Sequence, residues 1–467
     1  MADPIKHVVA LILENHSFDQ MLGCLKQVHP ELDGVDPAKP AWNEDENGVR
    51  IMQKECRESQ MLHDPIHEHA DVAEQLAGDN GGFVRNFAKN YPGCSAQEKE
   101  AVMGYYPLDF LPALHTLGRA FRVCDRWFSS LPGPTWPNRM FALSGTSMGA
   151  VKMPQGAHDL AMLDDQSQDT IFDRLSEKGR TWKIFYYDFP SSLLLLNQRK
   201  PERAKNYAKI DDFFDAARGR EAQFPDFCLI EPKYYGLDQN DDHPPHNVMK
   251  AQKLIADVYN AIRANGELWQ STLLLVFYDE HGGFYDHVIP PPTVQPDDHH
   301  QEYDFTQYGV RVPALMISPW LPAGVEKTPF DHTSMLKYLI EKWGLQPLTR
   351  RVAQANSIGA VRWLDTPRPA GDTPAFIRVS YSSLIPSHPE WELADTSAHH
   401  DALEILAESL LDKGEAQFGE QGEVVGLRLL AKVGTWMTTI GQKWAMLAVN
   451  RRAKKLDAAA KLFVSKP

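Results

Sequence analysis

Cysteine is scarce in this 467-residue chain and poorly spaced for a structural role. The five present, Cys24, Cys56, Cys94, Cys124 and Cys228, are odd in number and far apart with no close pair, which argues against a disulfide framework or a thiolate zinc site. Long apolar runs are missing too. No stretch reaches the roughly 20 residues that a bilayer-crossing helix needs, and the first residues, Met1 to His7, lack the basic and apolar segments and the cleavage site of a secretory leader. The expectation is therefore a cytoplasmic protein, or one exported without a signal peptide. Positive charge is also in short supply. With 48 Lys and Arg against 62 Asp and Glu the net charge is −14, which would repel a nucleic-acid backbone and excludes nucleic acid as a general partner. Repeats and low-complexity tracts are absent. An apolar content of 43% is ample for a large core, so a disordered chain is excluded as well.

What is present is a series of short β-branched or aromatic runs, each followed by polar or turn residues and often by a helical pattern. His7–Leu13, Phe121–Cys124, Trp182–Tyr187, Phe227–Ile230, Thr272–Tyr278 and Val312–Ile317 read as strands. Helical spacing follows over Val248–Ala264 and Thr333–Trp343, and a short helix is predicted from Arg139 to Ser144. Near-continuous apolar strands alternating with helices predict an α/β fold with a mainly parallel central sheet flanked by helices. Ligands of such sheets sit at the carboxyl ends of the strands.

The polar clusters fall at those ends. Glu14-Asn15 follows the first strand and Asp279-Glu280 follows the run Thr272–Tyr278. Either pair alone reads as a helix cap or a solvated loop. Brought side by side by a parallel sheet, the four would form an all-oxygen site suited to a hard divalent cation, calcium first, then magnesium or manganese, with zinc not excluded. Thr135 lies between two prolines in Gly133-Pro-Thr-Trp-Pro-Asn-Arg139, just before the predicted helix. Its hydroxyl can be read in two ways: as an N-cap, or as a group aimed with the helix amides at an anion such as a phosphoryl group. Of the 18 histidines, two groups stand out by setting: Asp242-His243-Pro-Pro-His246 and His63-Asp-Pro-Ile-His67-Glu-His69. A histidine can pass a proton to a leaving alkoxide at neutral pH. Asp286-His287 could act likewise or serve a structural purpose.

Taken together and in order, the segments Glu14-Asn-His-Ser-Phe-Asp19, Asp64-Pro-Ile-His67, Gly82-Phe83, Pro134-Thr-Trp-Pro-Asn-Arg139, Asp242-His-Pro-Pro-His246, Tyr278-Asp-Glu-His-Gly-Gly-Phe-Tyr-Asp-His287 and Gly309-Val-Arg-Val-Pro313 resemble one family. It is the phosphoesterase family of bacterial and plant non-specific phospholipases C and Francisella-type acid phosphatases. The resemblance covers about the first 345 residues. It implies an alkaline-phosphatase-like fold and one divalent metal held by Glu14, Asn15, Asp279 and Glu280 together with the nucleophile Thr135. It also implies that His243 stands beside the reacting phosphate, that His67 matches a second family histidine, and that Asn138 contacts the phosphoryl oxygens. Some phosphatase relatives carry a serine nucleophile and a further histidine pair. Here threonine stands in the first place, and the middle of the chain has Tyr186, Tyr187 and Asp188 where such a pair was sought. That departure favours a phospholipase C acting on phospholipid, with an acid phosphatase or a catalytically silent lipid-binding relative as alternatives.

Beyond the resemblance the chain divides into a catalytic region 1–350, a connecting and accessory segment 351–420 and a basic tail 421–467. From Val424 onward nine Lys or Arg face the single acid Asp457, so this stretch carries +8 and everything before it −22. Apolar residues recur at helical spacing from Leu429 to Leu447, including Trp436 and Trp444, and Arg451, Arg452, Lys454 and Lys455 follow. The apolar stripe alone fits equally an interfacial membrane helix and a helix packed on the catalytic region, and the basic run after it favours a C-terminal helical extension drawn to anionic lipid, giving a peripherally associated protein.

Overall fold

A computed structural model describes residues 3–156, 158–160, 168–236, 238–300, 302–394 and 397–418. The tail with Trp436, Trp444, Arg451, Arg452, Lys454 and Lys455 lies outside the described residues. The apolar runs form an eight-stranded sheet: β1 (His7–Leu13), β2 (Arg122–Cys124), β3 (Trp182–Tyr186), β4 (Tyr207–Lys209), β5 (Phe227–Glu231), β6 (Thr272–Tyr278), β7 (Ala314–Ile317) and β8 (Gly324–Glu326). Their spatial order is β8-β2-β7-β6-β1-β5-β3-β4. The half from β6 through β1, β5 and β3 to β4 is parallel throughout, and only the pairings of β7 with β6 and β2 are antiparallel. Every residue of β1, β5 and β6 is buried, as expected for central strands covered on both faces.

One register decides where the chemistry can be. Leu13 of β1 stands opposite Tyr278 of β6, so the residues that follow, Glu14 and Asp279, leave the sheet at the same level. The Asp279 N–H donates to the Leu13 carbonyl at 3.0 Å, and the Glu14 N–H donates to the Asp241 carbonyl at 2.9 Å, bringing the loop after β5 to the same point.

Five helices matter for the site: α1 (Phe18–Leu22), α2 (Thr135–Ser144), α3 (Val248–Ala264), α4 (His332–Trp343) and α5 (Ala398–Phe418). All ten residues of α2 are buried, and it packs against α4. The segment after residue 350 is part of the same body. Ile358, Ile377, Ala402, Leu403, Leu406 and Ala407 all enter the main apolar core.

Beside the site an ionic cluster locks the glycine-containing loop 281–287 to α1. The fully buried Arg311 donates from Nε to Asp286 Oδ1 at 2.8 Å and from Nη2 to Asp19 Oδ1 at 3.1 Å, while Nη1 donates to the carbonyls of Asp33 and Asp125 at 2.7 Å each. His287 joins it with Nδ1 2.8 Å from Asp19 Oδ2 and Nε2 3.1 Å from Asp33 Oδ1. Asp286-His287 is thus a structural pair. Burial works against the imidazolium, but the Asp19 charge and the hydrogen bonds to Asp19 and Asp33 prevail and raise the His287 pKa from 6.5 to about 10. A folded-state pKa above the unfolded one stabilises the protein fully below the unfolded value, and the gain is lost as pH rises through the folded value. His287→Gln is therefore expected to be less stable than the parent near pH 6, with the difference shrinking between about pH 6.5 and 10. Melting temperatures of both proteins across that range test it; a gap independent of pH counts against the charged pair.

Candidate active site

The sharp turn after β1 is made by Asn15 at φ 60, in the left-handed region that asparagine tolerates better than most residues. It packs against the turn after β6, where a Cβ on Gly282 would lie 2.1 Å from the Asn15 carbonyl oxygen, so only glycine fits there. Thr135 meets these turns from the other side. Pro134, in extended conformation, is the N-cap of α2 and offers no side-chain cap, and Thr135 is the first helical residue. The cap reading of Thr135 therefore falls. Its hydroxyl donates across the site to Asn15 Oδ1 at 3.4 Å. Asn138 is placed differently from expectation. Its Nδ2 donates to the carbonyls of Leu131, Gly133 and Pro134 at 3.3, 2.9 and 3.2 Å, and its Oδ1 accepts from the Leu131 N–H at 3.2 Å. The amide is thus spent on the loop that carries Thr135 and braces it.

The residue that organises the carboxylates is Arg139, which the sequence reading took only as the start of a helix. One turn along α2 from Thr135, its Nε donates to Asp279 Oδ2 at 2.8 Å, Nη2 to Glu14 Oε1 at 3.0 Å, and Nη1 to Tyr234 Oη at 3.0 Å and Ser191 Oγ at 3.2 Å. Burial opposes its charge, yet Tyr234, Asp279, Glu14 and Glu231 around it raise its pKa above the ordinary arginine value. Burial, against the lowering effect of Arg139, pushes the Asp279 carboxyl up to about 7 and Glu14 well above the usual range. Arg139 thus already engages one oxygen each of Glu14 and Asp279, and these acids are not part of the three tight Asp/His groups found among the described residues.

A cation still fits what remains. Glu14 Oε2 and Glu280 Oε1 are buried and have no hydrogen-bond partner, a state that costs each group its hydration without return. Three buried carboxylates, Glu14, Asp279 and Glu280, gather here with one guanidinium, and a bound cation would favour the charged forms of Glu14 and Asp279 that burial opposes. The Asn15 and Thr135 oxygens lie in the same place.

Histidines from three parts of the chain border this pocket. His67 Nδ1 donates to the Pro65 carbonyl at 2.7 Å, and its Nε2 lies 3.3 Å from the Asn15 amide and 3.5 Å from Glu280 Oε1; burial works against its charge, but Glu280 and Asp64 prevail and raise its pKa to about 9. His243 Nδ1 bonds the Pro244 carbonyl, and its Nε2 lies 3.5 Å from Asp64 Oδ2. The third contribution was not expected. His399 and His400 of α5 are buried with His399 Nε2 3.4 Å from Glu14 Oε1 and His400 Nε2 3.6 Å from Asp241 Oδ2. Their rings rest on Tyr234 and Tyr235, with centroids 4.9 Å apart in each case. A histidine pair thus does reach the site, from the segment 351–420, whereas Asp188 in the middle of the chain only clamps a loop by accepting from the Tyr234 and Tyr235 N–H groups at 3.1 and 2.8 Å.

With this geometry in place, comparison with known proteins is decisive at the level of family. The model of the phosphoesterase family matches residues 5–346. The chain belongs to that family. This phosphoesterase is 36% identical over 403 residues to non-specific phospholipase C3 of Arabidopsis thaliana, covering 79% of the chain and 75% of that protein. Phospholipase C B of Mycobacterium tuberculosis is 29% identical over 401 residues, covering 73% and 74%. Among solved structures, a protein in the alkaline phosphatase superfamily from Vibrio parahaemolyticus aligns over 76% of this chain and 70% of its own at 12% identity, a distant likeness with a TM-score of 0.35. The protein is a hydrolase with a mixed α/β fold and buried acidic and histidine groups able to hold a metal.

Because Arg139 satisfies two buried carboxylates at once, Arg139→Met is expected to destabilise the phosphoesterase by about 3–5 kcal/mol, the cost of leaving buried charges unpaired. Denaturant unfolding in chelator, with and without the substitution, measures it; a loss under about 1 kcal/mol would mean the pair matters little.

Proposed function

We propose that this phosphoesterase is a phospholipase C that cleaves the glycerol-side phosphodiester of glycerophospholipids such as phosphatidylcholine, releasing diacylglycerol and a phosphorylated head group. The observation that carries the reading is the Thr135 hydroxyl: buried, not used as a cap, and directed at Asn15 in a pocket that also holds the unpartnered oxygens of Glu14 and Glu280. The names of the relatives supply the substrate class.

In this reading Glu14, Asn15, Thr135, Asp279 and Glu280 would hold one divalent cation, calcium favoured by the all-oxygen donor set. Such an ion favours the alkoxide form of a bound hydroxyl and offsets charge on a phosphate oxygen. Arg139 fixes Glu14 and Asp279, and Asn138 and the flanking prolines hold Thr135 in place. Thr135 Oγ1 forms a bond to phosphorus in line as the bond from phosphorus to the glycerol oxygen breaks, giving a phosphothreonine and diacylglycerol. The Thr135 hydroxyl gives up its proton to solvent beforehand, and His243, as the imidazolium with its Nδ1–H held by the Pro244 carbonyl, gives its Nε2 proton to the departing oxygen and becomes the neutral ring that burial favours by holding its pKa well below 6.5. Water then attacks phosphorus, the same Nε2 takes its proton, and the bond to Thr135 breaks. Two displacements give net retention at phosphorus.

The buried histidine pair His399-His400 is the observation that favours an acid phosphatase instead. Turnover of p-nitrophenyl phosphocholine well above that of p-nitrophenyl phosphate supports the diesterase; the reverse order favours the phosphatase. Thr135→Ala is expected to lower turnover at least about 10³-fold with an unchanged melting curve, as loss of a covalent nucleophile does. Near-normal turnover of that variant would refute the nucleophile.

The basic tail would dock the enzyme on anionic bilayers where its substrate resides. Co-sedimentation with phosphatidylserine-containing liposomes is expected to fall when the chain is ended at Gln421. Equal binding by both proteins removes the tail from the account.

A further inference from the structure

Among the described residues three groups of Asp and His bring their ligand atoms within 4.8 Å of one another. Two are already explained. Asp64, His67 and His243 belong to the pocket around Thr135, and Asp19, Asp286 and His287 surround Arg311, whose guanidinium supplies the positive charge. The third, Asp241, His246 and His400, has no such cation. Its members are 0, 2 and 5% exposed, and no Lys or Arg pairs with Asp241 among the described residues. His246 Nδ1 lies 2.6 Å from Asp241 Oδ1, and His400 Nε2 lies 3.6 Å from Asp241 Oδ2. Asp241 Oδ2 and His400 Nε2 are both buried without a hydrogen-bond partner and stand 3.6 Å apart, while Asp241 Oδ1 also accepts from the His243 N–H at 3.1 Å. The rings of His246 and His400 face each other at 5.3 Å and 24°. A buried carboxylate whose oxygen is short of a donor, next to an imidazole nitrogen short of a partner, is the arrangement a coordinated cation satisfies at both atoms.

We propose that Asp241, His246 and His400 form a second cation site, distinct from the oxygen set around Thr135 and selective for a borderline divalent ion of the zinc class. Two imidazole nitrogens and one carboxylate oxygen are the donors that zinc, cobalt or nickel prefer over calcium, and three protein ligands leave a fourth position for water or a substrate oxygen. The ligands also span the chain in an informative way. Asp241 and His246 lie in the loop between β5 and α3, whereas His400 comes from α5, beyond the family match at residues 5–346. Occupancy therefore ties α5, with its neighbour His399 beside Glu14, to the loop that carries His243. The inference does not rest on the phospholipase reading, because it is tested by cation content and not by turnover.

The full chain is stripped with chelator, dialysed against zinc and then against zinc-free buffer, and its metal counted by elemental analysis, with the cobalt form examined by visible absorption. The parent is expected to retain one zinc more than His246→Gln or His400→Gln, and its cobalt form to show a four-coordinate ligand-field band that either variant lacks. Glu280→Gln is expected to keep that band, which separates this site from the one around Thr135. Zinc is further expected to raise the melting temperature of the parent more than that of His400→Gln. Equal zinc content in parent and His400→Gln overturns the proposal. Should the histidine variants fail to fold, the parent and Glu280→Gln decide: absence of the band in the parent, or its loss in Glu280→Gln, overturns it equally.

Discussion

A single buried guanidinium holds the candidate site in shape. Arg139 reaches the ends of both β1 and β6 through Glu14 and Asp279, and it stands one helical turn from Thr135, so helix and sheet are braced by the same side chain. Its planar fork suits this task, because separate donors point at separate acceptors without rotation of the group. Burying such a charge is costly unless every donor is used. Here Nε, Nη1 and Nη2 all donate, and the remaining carboxylate oxygens of Glu14 and Glu280 are the places where the balance stays open. Those open oxygens are where a cation would fit.

The brace would be useless without the register beneath it. In a strand successive side chains point to opposite faces, so a slip of one residue between β1 and β6 would exchange the faces of every residue in the pair. The parallel register that sets Leu13 against Tyr278 puts Glu14 and Asp279 level, and the fit of Gly282 against the Asn15 carbonyl leaves little room for another arrangement of the two turns. Fold and site are here the same constraint seen at two scales.

Much of this was legible in the sequence for the reason that central parallel strands must be apolar throughout: His7–Leu13 and Thr272–Tyr278 have the bounds read from the residues alone. The start of α2 was misplaced by four residues because Pro-Thr-Trp-Pro reads as a turn. Proline is nonetheless compatible with the first turn of a helix, whose N–H groups have no partner in any case, and both Pro134 and Pro137 sit there. The resemblance implies a phosphoryl contact for Asn138, whereas its hydrogen bonds to the loop 131–134 are visible only in coordinates, since sequence does not say which way an amide faces. Arg139 escaped notice because an arginine early in a helix is ordinarily solvated. The pair His399-His400 carried no signal at all: two adjacent histidines in a segment without motif, brought to Glu14 and Asp241 by contacts that span some hundreds of positions in the chain.

The way α5 docks explains why those histidines cannot be treated as an appendage. On this helix Ala402, Leu403, Leu406 and Ala407 enter the main core, and His399 stands four and seven residues before Leu403 and Leu406, on the same face. The stripe that pays for burying the helix therefore also aims its first turn at the carboxylates. Tyr234 and Tyr235 complete the seat: the Tyr234 ring lies tilted against His399 while its hydroxyl accepts from Arg139, and the Tyr235 hydroxyl donates to the His400 carbonyl. A change that loosened α5 from the core would withdraw two imidazoles from Glu14 and Asp241 and disturb the partner of Arg139 in one step. The segment after residue 350 thus belongs to the chemistry of the site as fully as the strands that begin the chain.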